Sequence, residues 1–305
     1  MQPLINYIKR PNLFFDSLVC HCGCWLPDDI YIKLRYRFQV GKRIDLKNPQ
    51  SFQEKIQWLK LYDHNPDYSR MVDKISVKDY VSSLVGKEYV IPLLGVWDTP
   101  KDIDWDALPD QFVLKTNHSG GSTGVVICHD KNRLDKQKAI DRLTTSLKSD
   151  VYKSLREWPY KGIAKKVFAE TLLDSPDANG DLPDYKWYCF NGEPRYCQVI
   201  QDRTHGETID FYDTAWVRQE FIGLNPSATH SVSPAKKPSN LDVQIRIARE
   251  LSKNIPFVRI DLYSVGERVY FGEITFYPFS GMGEFSPRKY NEILGKMIVL
   301  PDERE

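Results

Sequence analysis

Apolar and polar residues recur along this chain at two spacings, and each spacing marks a different kind of element. Ser51 and Glu54 are placed as a capping box ahead of a helix with Phe52, Ile56 and Leu59 on one side, while Trp58 and Tyr62 add aromatic bulk. Residues 71–85 repeat the helical spacing through Val77, Val81 and Leu84, with Gly86 as the stop. Residues 136–157 read as one helix with a polar surface, and Leu241, Ile245, Ala248 and Leu251 stripe another that ends before Pro256. Strand patterns fill much of the remainder. Asn191 and Gly192 mark a hairpin between residues 186–190 and 196–200, and residues 257–275 form two apolar strands around a turn at Val265, Gly266 and Glu267. By composition, 101–109 is an acidic linker and 175–183 a turn or loop.

Charged residues interrupt the last hairpin in a regular way. Arg259 and Asp261 are two apart on one strand and share a face, as do Phe271, Glu273 and Thr275 on the other. Pairing across the short turn brings Asp261 and Glu273 together. Two neighbouring carboxylates repel each other unless a cation sits between them, and a hard ion such as magnesium takes oxygen ligands together with substrate phosphates. Ordinary cross-strand salt bridges are the alternative, and the apolar surroundings favour the metal.

Residues 112–128, FVLKTNHSGGSTGVVIC, run as strand, lysine, glycine-rich loop and strand. Gly120, Gly121 and Gly124 let the backbone N–H groups approach an anion, Ser119, Ser122 and Thr123 offer hydroxyls, and Lys115 stands just ahead of the loop. The segment reads as a lid over nucleotide phosphates or as a mobile turn. It lacks the Lys-Ser or Lys-Thr pair that closes a P-loop. His118 is the one histidine near this loop, where packing is its expected role.

With 305 residues and 41% hydrophobic composition the chain can bury a large core. A net charge of +1 gives no general case for nucleic acid. No apolar run approaches the roughly 20 residues that span a bilayer, and the first ten residues lack a signal-peptide core, so a cytoplasmic protein that is not integral to the membrane is expected. Cys20, His21, Cys22 and Cys24 are spaced too tightly for the usual zinc pattern and read as a reduced N-terminal segment, whereas Cys128, Cys189 and Cys197 read as small core residues. Lys33, Arg35, Arg37, Lys42 and Arg43 form a basic stretch that either holds an anionic glycan or, as preferred, forms a solvated helix face.

The lysine-and-glycine loop followed by an Arg-x-Asp…Glu hairpin resembles the ATP-grasp superfamily of carboxylate–amine ligases. More narrowly the chain resembles the TupA-like ATP-grasp family, from about Asp28 to Leu300. The motifs are NPQSFQEKIQWLKLYD (48–63), MVDKISVKDYV (71–81), LPDQFVLKTNHSGG (108–121), REWPYKGIAKKVFAETLL (156–173), DYKWYCFNGEPRY (184–196), VRIDLY (258–263) and FGEITFYPFSGMGEFSP (271–287). The resemblance implies an α+β ATP-grasp fold in which two α+β subdomains, 101–173 and 174–305, clasp ATP behind a mostly helical N-terminal region, 1–100.

It also implies roles. Lys115 would contact ATP phosphates under the closing loop Ser119, Gly120, Gly121, Ser122, Thr123 and Gly124, and Glu170 would begin the linker that recognises adenine and ribose. Lys186, ahead of Arg203, would be the second basic residue on the phosphates. Asp261 and Glu273 would hold Mg2+, with Arg259 steadying the developing oxyanion. Thr275 stands where many of these ligases place Asn, which weakens it as a ligand of a second metal. Residues 278–284 replace the usual proline-glycine turn beside the acceptor site. The implied reaction joins an amino acid or other amine to a carboxylated sugar or glycan through an acyl phosphate, in bacterial capsule or other cell-surface polysaccharide biosynthesis. A glycosyltransferase of the same pathway and a non-catalytic nucleotide-binding subunit are the competing readings.

Overall fold

The computed structural model of the chain describes residues 11–121, 123–173, 184–201 and 207–301. Ser122, Arg203 and the 175–183 turn lie outside the described residues. Five helices come first: α1 (Pro11–Cys22), α2 (Asp28–Gln39), α3 (Phe52–Tyr62), α4 (Asp67–Val72) and α5 (Ser76–Val85). The capping box at the start of α3 is formed, with Ser51 Oγ accepting from the Glu54 N–H at 3.3 Å and Glu54 Oε2 accepting from the Ser51 N–H at 3.0 Å. Phe52, Ile56, Trp58 and Leu59 are buried, whereas Tyr62 is exposed.

The helix expected over 71–85 is two helices, because Asp73 accepts from the Ile75 N–H at 2.9 Å and turns the chain between them. Val77 and Val81 are buried, Leu84 is exposed, and the second helix stops at Gly86. The helix expected over 136–157 is likewise split into α6 (Lys136–Leu147) and α7 (Val151–Leu155). There Asp150 accepts from the Lys153 N–H at 2.9 Å and caps a new start.

Strands β1 (Leu93–Trp97), β2 (Phe112–Thr116), β3 (Val125–Cys128) and β4 (Val167–Thr171) form an antiparallel sheet of order β1-β4-β2-β3. One face packs Phe112, Leu114, Val167 and Ala169 against Leu143 of α6. Ile103 and Leu108 join this core, so 101–109 does more than link. Its acidic residues stay outside while Ile103 and Leu108 go in and Trp105 packs partly against them.

The second sheet contains β5 (Asp184–Phe190), β6 (Glu193–Gln201) and β7 (Thr208–Asp213). After the short β8 (Ile222–Gly223) and helix α8 (Leu241–Ser252) it is completed by β9 (Phe257–Val265) and β10 (Arg268–Thr275), in the order β10-β9-β5-β6-β7. β11 (Phe285–Ser286) pairs with β8, and α9 (Lys289–Met297) follows. Asn191 and Gly192 both take positive φ, 51° and 83°, as a two-residue hairpin turn between β5 and β6 demands. Helix α8 covers one face, where Trp187 Nε1 donates to Gln244 Oε1 at 3.0 Å and Leu241, Ile247, Ala248 and Leu251 are buried. Ile245 is only partly buried, since Ile247 occupies the sheet side of that turn. The larger core joins this sheet to α3, α4 and α5.

The alternation expected in β10 is broken once. Phe271 pairs with Leu262 but Glu273 pairs with Asp261, so Gly272 is an extra residue and Phe271 lies on the face opposite Glu273. Phe271 is buried in the core, and Glu273 meets Asp261 as expected.

Candidate nucleotide and metal site

The face of the second sheet opposite α8 carries a row of charges set by strand register. Lys186 of β5 pairs with Asp261 of β9, which pairs with Glu273 of β10, and in the next row Arg259 pairs with Thr275. Lys186 Nζ donates to Asp261 Oδ2 at 2.6 Å and lies 2.7 Å from Asp184 Oδ2. Arg259 donates to both Asp261 oxygens, at 2.6 and 2.7 Å, to Glu273 Oε1 at 3.2 Å and to Thr275 Oγ1 at 3.1 Å. Burial raises the cost of every charge here; opposite charges outweigh it at Glu273 and Lys186, whereas at Asp261 burial raises the pKa despite Arg259 and Lys186. Burial alone would raise the Glu273 pKa, but Lys74, Arg259 and Lys186 hold it well below the usual carboxylate range. Burial also works against the Lys186 ammonium, which Asp261 and Asp184 keep protonated.

A second cluster sits on the first sheet. Glu170 is 4% exposed, and its two oxygens accept from Lys115 of β2 and from Lys78 of α5, the latter at 2.8 Å. Burial opposes its charge, yet the two lysines hold its pKa below the ordinary value. Lys165 and Lys166, close by in the sequence, lie elsewhere, on Ser149 O and Asp98. Glu170 lies inside β4 rather than at its end.

In the glycine-rich hairpin Gly120 and Gly121 are open to solvent, with nothing within 4 Å of an added Cβ. Gly124 is different, because a Cβ there would collide with the hydroxyls of Thr116, Ser146 and Ser119. Ser119 Oγ is engaged inward with Thr116 Oγ1 at 2.6 Å and is buried, whereas Thr123 is exposed. His118 is buried, which pushes its pKa down, and packs beside Ser149.

One short segment joins the two clusters. Asp73, Lys74 and Ile75 lie between α4 and α5, and Lys74 Nζ donates to Glu273 Oε2 at 3.1 Å while its backbone N–H donates to Asn117 O at 3.0 Å. Asn117, fully buried below the glycine-rich loop, also donates to Asp73 at 3.1 Å and to Ala164 O at 2.9 Å. Tyr263 stands on this side as well. Burial pushes its hydroxyl far up, and Asp184, Glu273, Asp261 and Glu170 push it further, so it feels both clusters. Sequence reasoning passed over Lys74, Lys78, Asn117 and Tyr263. Lys74 and Lys78 are four apart around a capped helix start, a signal too common to mark a site.

Residues 278–284 form a turn in which Phe279, Ser280 and Gly281 take positive φ of 49°, 53° and 67°. Helix α3 grips its carbonyls with one polar ridge: Lys60 donates to Ser280 O at 2.7 Å, Gln57 to Gly281 O at 3.0 Å, and Gln53 to Gly283 O at 2.7 Å. Burial pushes the Lys60 ammonium down to about 8, against the pull of Glu157.

Outside the site the basic stretch and the cysteines stand close to expectation. Arg35 is buried on Asp16, 2.8 Å away, while Lys33, Arg37, Lys42 and Arg43 are exposed, so the basic stretch is a solvated face with one inward residue. Cys22 and Cys24 are exposed and Cys20 partly buried, while Cys128, Cys189 and Cys197 are core residues.

The donor chemistry fits a hard cation. Asp261 and Glu273 are paired carboxylates, and magnesium takes one or two carboxylates together with substrate phosphates.

Comparison with known proteins follows the same lines. The chain resembles D-alanine-D-alanine ligase from Helicobacter pylori, with TM-score 0.43 and 14% identity over 83% of this chain and 70% of that one. It resembles D-alanine–D-alanine ligase from Bacillus anthracis, with TM-score 0.38 and 16% identity over 68% of this chain and 57% of that one. It also resembles the ATP-grasp ligase PsnB in complex with a minimal precursor, Mg and ADP, with TM-score 0.39 and 14% identity over 83% of this chain and 65% of that one. The chain thus spans between 57% and 70% of the length of these proteins. No curated protein matches it. Among the described residues no helix is long and apolar enough to cross a membrane. The sequence of residues 54–299 matches the TupA-like ATP-grasp family, and the chain belongs to that family, with its α+β ATP-grasp fold.

Proposed function

We propose that the protein is an ATP-dependent carboxylate–amine ligase. The observation that carries this reading is the row Lys186–Asp261–Glu273 with Arg259 beside it, a set of alternating charges aligned across three strands. Such a row suits phosphoryl transfer, where catalysis is mostly positioning and charge stabilisation. Asp261 and Glu273 would hold magnesium, with Thr275 beside them, and the ion when bound would supply Lewis-acid neutralisation of phosphate charge. Lys115 and Lys186 would grip the phosphates, and Gly120, Gly121 and Gly124 would let the hairpin close over them. Arg203, which lies outside the described residues, keeps its proposed role as a further basic residue on the phosphates. Glu170, with both oxygens on lysines, would hold Lys115 and reach the nucleoside from the same position.

In the reaction a substrate carboxylate oxygen attacks the γ-phosphorus of ATP and ADP leaves, giving an acyl phosphate. The amine then attacks the acyl carbon, a proton is lost from nitrogen, and phosphate departs. Arg259 would meet the negative charge on the tetrahedral oxygen. The proposed substrates are an amino acid or other amine and a carboxylated sugar, in the cytoplasmic steps of capsule or other cell-surface polysaccharide synthesis.

The test is the melting temperature of the protein with magnesium and ATP, ADP or nucleotide sugars, since a ligand of the native state alone raises it. Magnesium-dependent stabilisation by ATP or ADP, lost in Glu273→Gln, is expected. Stabilisation by a nucleotide sugar alone would move the assignment to a glycosyltransferase.

A further inference from the structure

We propose that the outer face of the α1–α2 hairpin docks on a bilayer surface of anionic phospholipid. Helix α1 is built the wrong way round for a helix that meets only water. Its one acidic residue, Asp16, is buried and accepts from Arg35 at 2.8 Å and from Gln39 at 2.7 Å, while the opposite side turns Phe14, Phe15 and Leu18 outward. Phe15 is 46% and Leu18 49% exposed, and Trp25, in the turn before α2, is 78% exposed. Phe15 stacks on Phe38 of α2 with ring centroids 5.5 Å apart, so the apolar face crosses from one helix to the other. Single apolar residues on a surface are ordinary, whereas a contiguous aromatic patch marks a place of contact.

The charges around this face identify the contact. Residues 1–43 hold seven basic and three acidic residues, in a chain balanced at +1 overall. The three acids are answered within the fold: Asp16 by Arg35, Asp28 by Arg156 and Asp29 by Lys33. Ile30, Lys33 and Arg37 share one exposed side of α2, and Lys42 and Arg43 follow at the end that carries Phe38. Arg37, Lys42 and Arg43 are exposed and pair with no carboxylate among the described residues. Aromatic and leucine side chains beside unpaired basic ones settle at the headgroup level of an anionic membrane, the rings among the first acyl carbons and the long cationic stems reaching the phosphates. A second copy of the chain fits less well, since a two-fold contact through this face would set its basic residues against their own copies. None of the proposed nucleotide and metal residues lies on α1 or α2, so the two surfaces can be tested separately.

Vesicle flotation of the full chain tests this, with phosphatidylcholine alone and with an equal share of phosphatidylglycerol. The wild type should float with the mixed vesicles at about 0.1 M salt and be released at about 1 M, where the Debye length falls to about 3 Å. Arg37→Gln with Lys42→Gln should weaken that binding about twenty-five-fold, at about fivefold for each basic residue. Leu18→Ser with Trp25→Ser should weaken it about a hundredfold, at about tenfold for each side chain withdrawn from the acyl boundary. Trp25→Phe should still float but lose the blue shift of tryptophan emission that the mixed vesicles induce. Equal flotation with both lipids, or none by the wild type, would overturn the proposal, as would flotation unaltered in Leu18→Ser with Trp25→Ser. A wild type that sediments as a dimer, with that double variant a monomer, would give the face to a second copy and overturn it too.

Discussion

The two sheets bring charged faces toward one another but are built on unequal foundations. The five-stranded sheet shares a core with α3, α4, α5 and α8, and Trp187, Ile260 and Leu262 are wholly buried within it. The four-stranded sheet has a much smaller core, centred on Phe112, Leu114 and Leu143 under α6, and Gly120 and Gly121 of its hairpin have open space where a side chain would stand. Local opening costs less where fewer apolar contacts are lost. The sheet with the proposed metal ligands is therefore the more firmly held of the two, and the glycine-rich sheet is the one that can yield.

That contrast can be broken in three ways. The largest effect is expected from Trp187→Ala, which removes a buried indole and its bond to Gln244. It should cost about 4 kcal/mol and accelerate hydrogen exchange in the second sheet, while β2 and β3, which open locally, change less. Equal acceleration in both sheets would show that the four-stranded sheet has no opening of its own.

Next comes Glu170→Gln, which strands Lys78 and Lys115 and should cost about 3 kcal/mol at neutral pH in a denaturant melt. The pH dependence has a definite sign. The folded pKa of Glu170 is depressed, so its contribution is fully present above the ordinary carboxylate pKa and is lost as pH falls through the folded value. The difference between wild type and variant should therefore shrink in acid, and a difference that grew there would contradict the pairing.

The smallest effect is expected from Gly124→Ala. Its Cβ would crowd Thr116, Ser146 and Ser119, at about 2 kcal/mol, and faster exchange should stay within β2 and β3. Spread of that effect to β9 and β10 would deny the four-stranded sheet its independence.

Much of this architecture is legible in the sequence because its signals are local. The Ser51–Glu54 cap, the Asn191-Gly192 turn and the pairing of Asp261 with Glu273 depend on residues close in the chain, and each is formed. Helix breaks at Asp73 and Asp150 were also written locally, but the apolar spacing running across them hides the caps. The glycine bulge is harder to see, since one extra residue in β10 reverses the face of Phe271 without disturbing its apolar character. Lys74 and Lys78 are the furthest from view. Their partners Glu273 and Glu170 lie 199 and 92 positions away, and no spacing rule reaches so far. The same holds for Arg35, whose basic companions Lys33 and Arg37 on α2 are exposed while it turns inward to Asp16.

The ridge of Gln53, Gln57 and Lys60 holds residues 280–283 by their carbonyl groups, and every amino acid has a carbonyl. Phe279, half exposed on that turn, is left out of the contract. Substitutions at its side chain can therefore alter what the neighbouring surface recognises while the main chain keeps its path, so recognition can drift during descent without the scaffold being rebuilt.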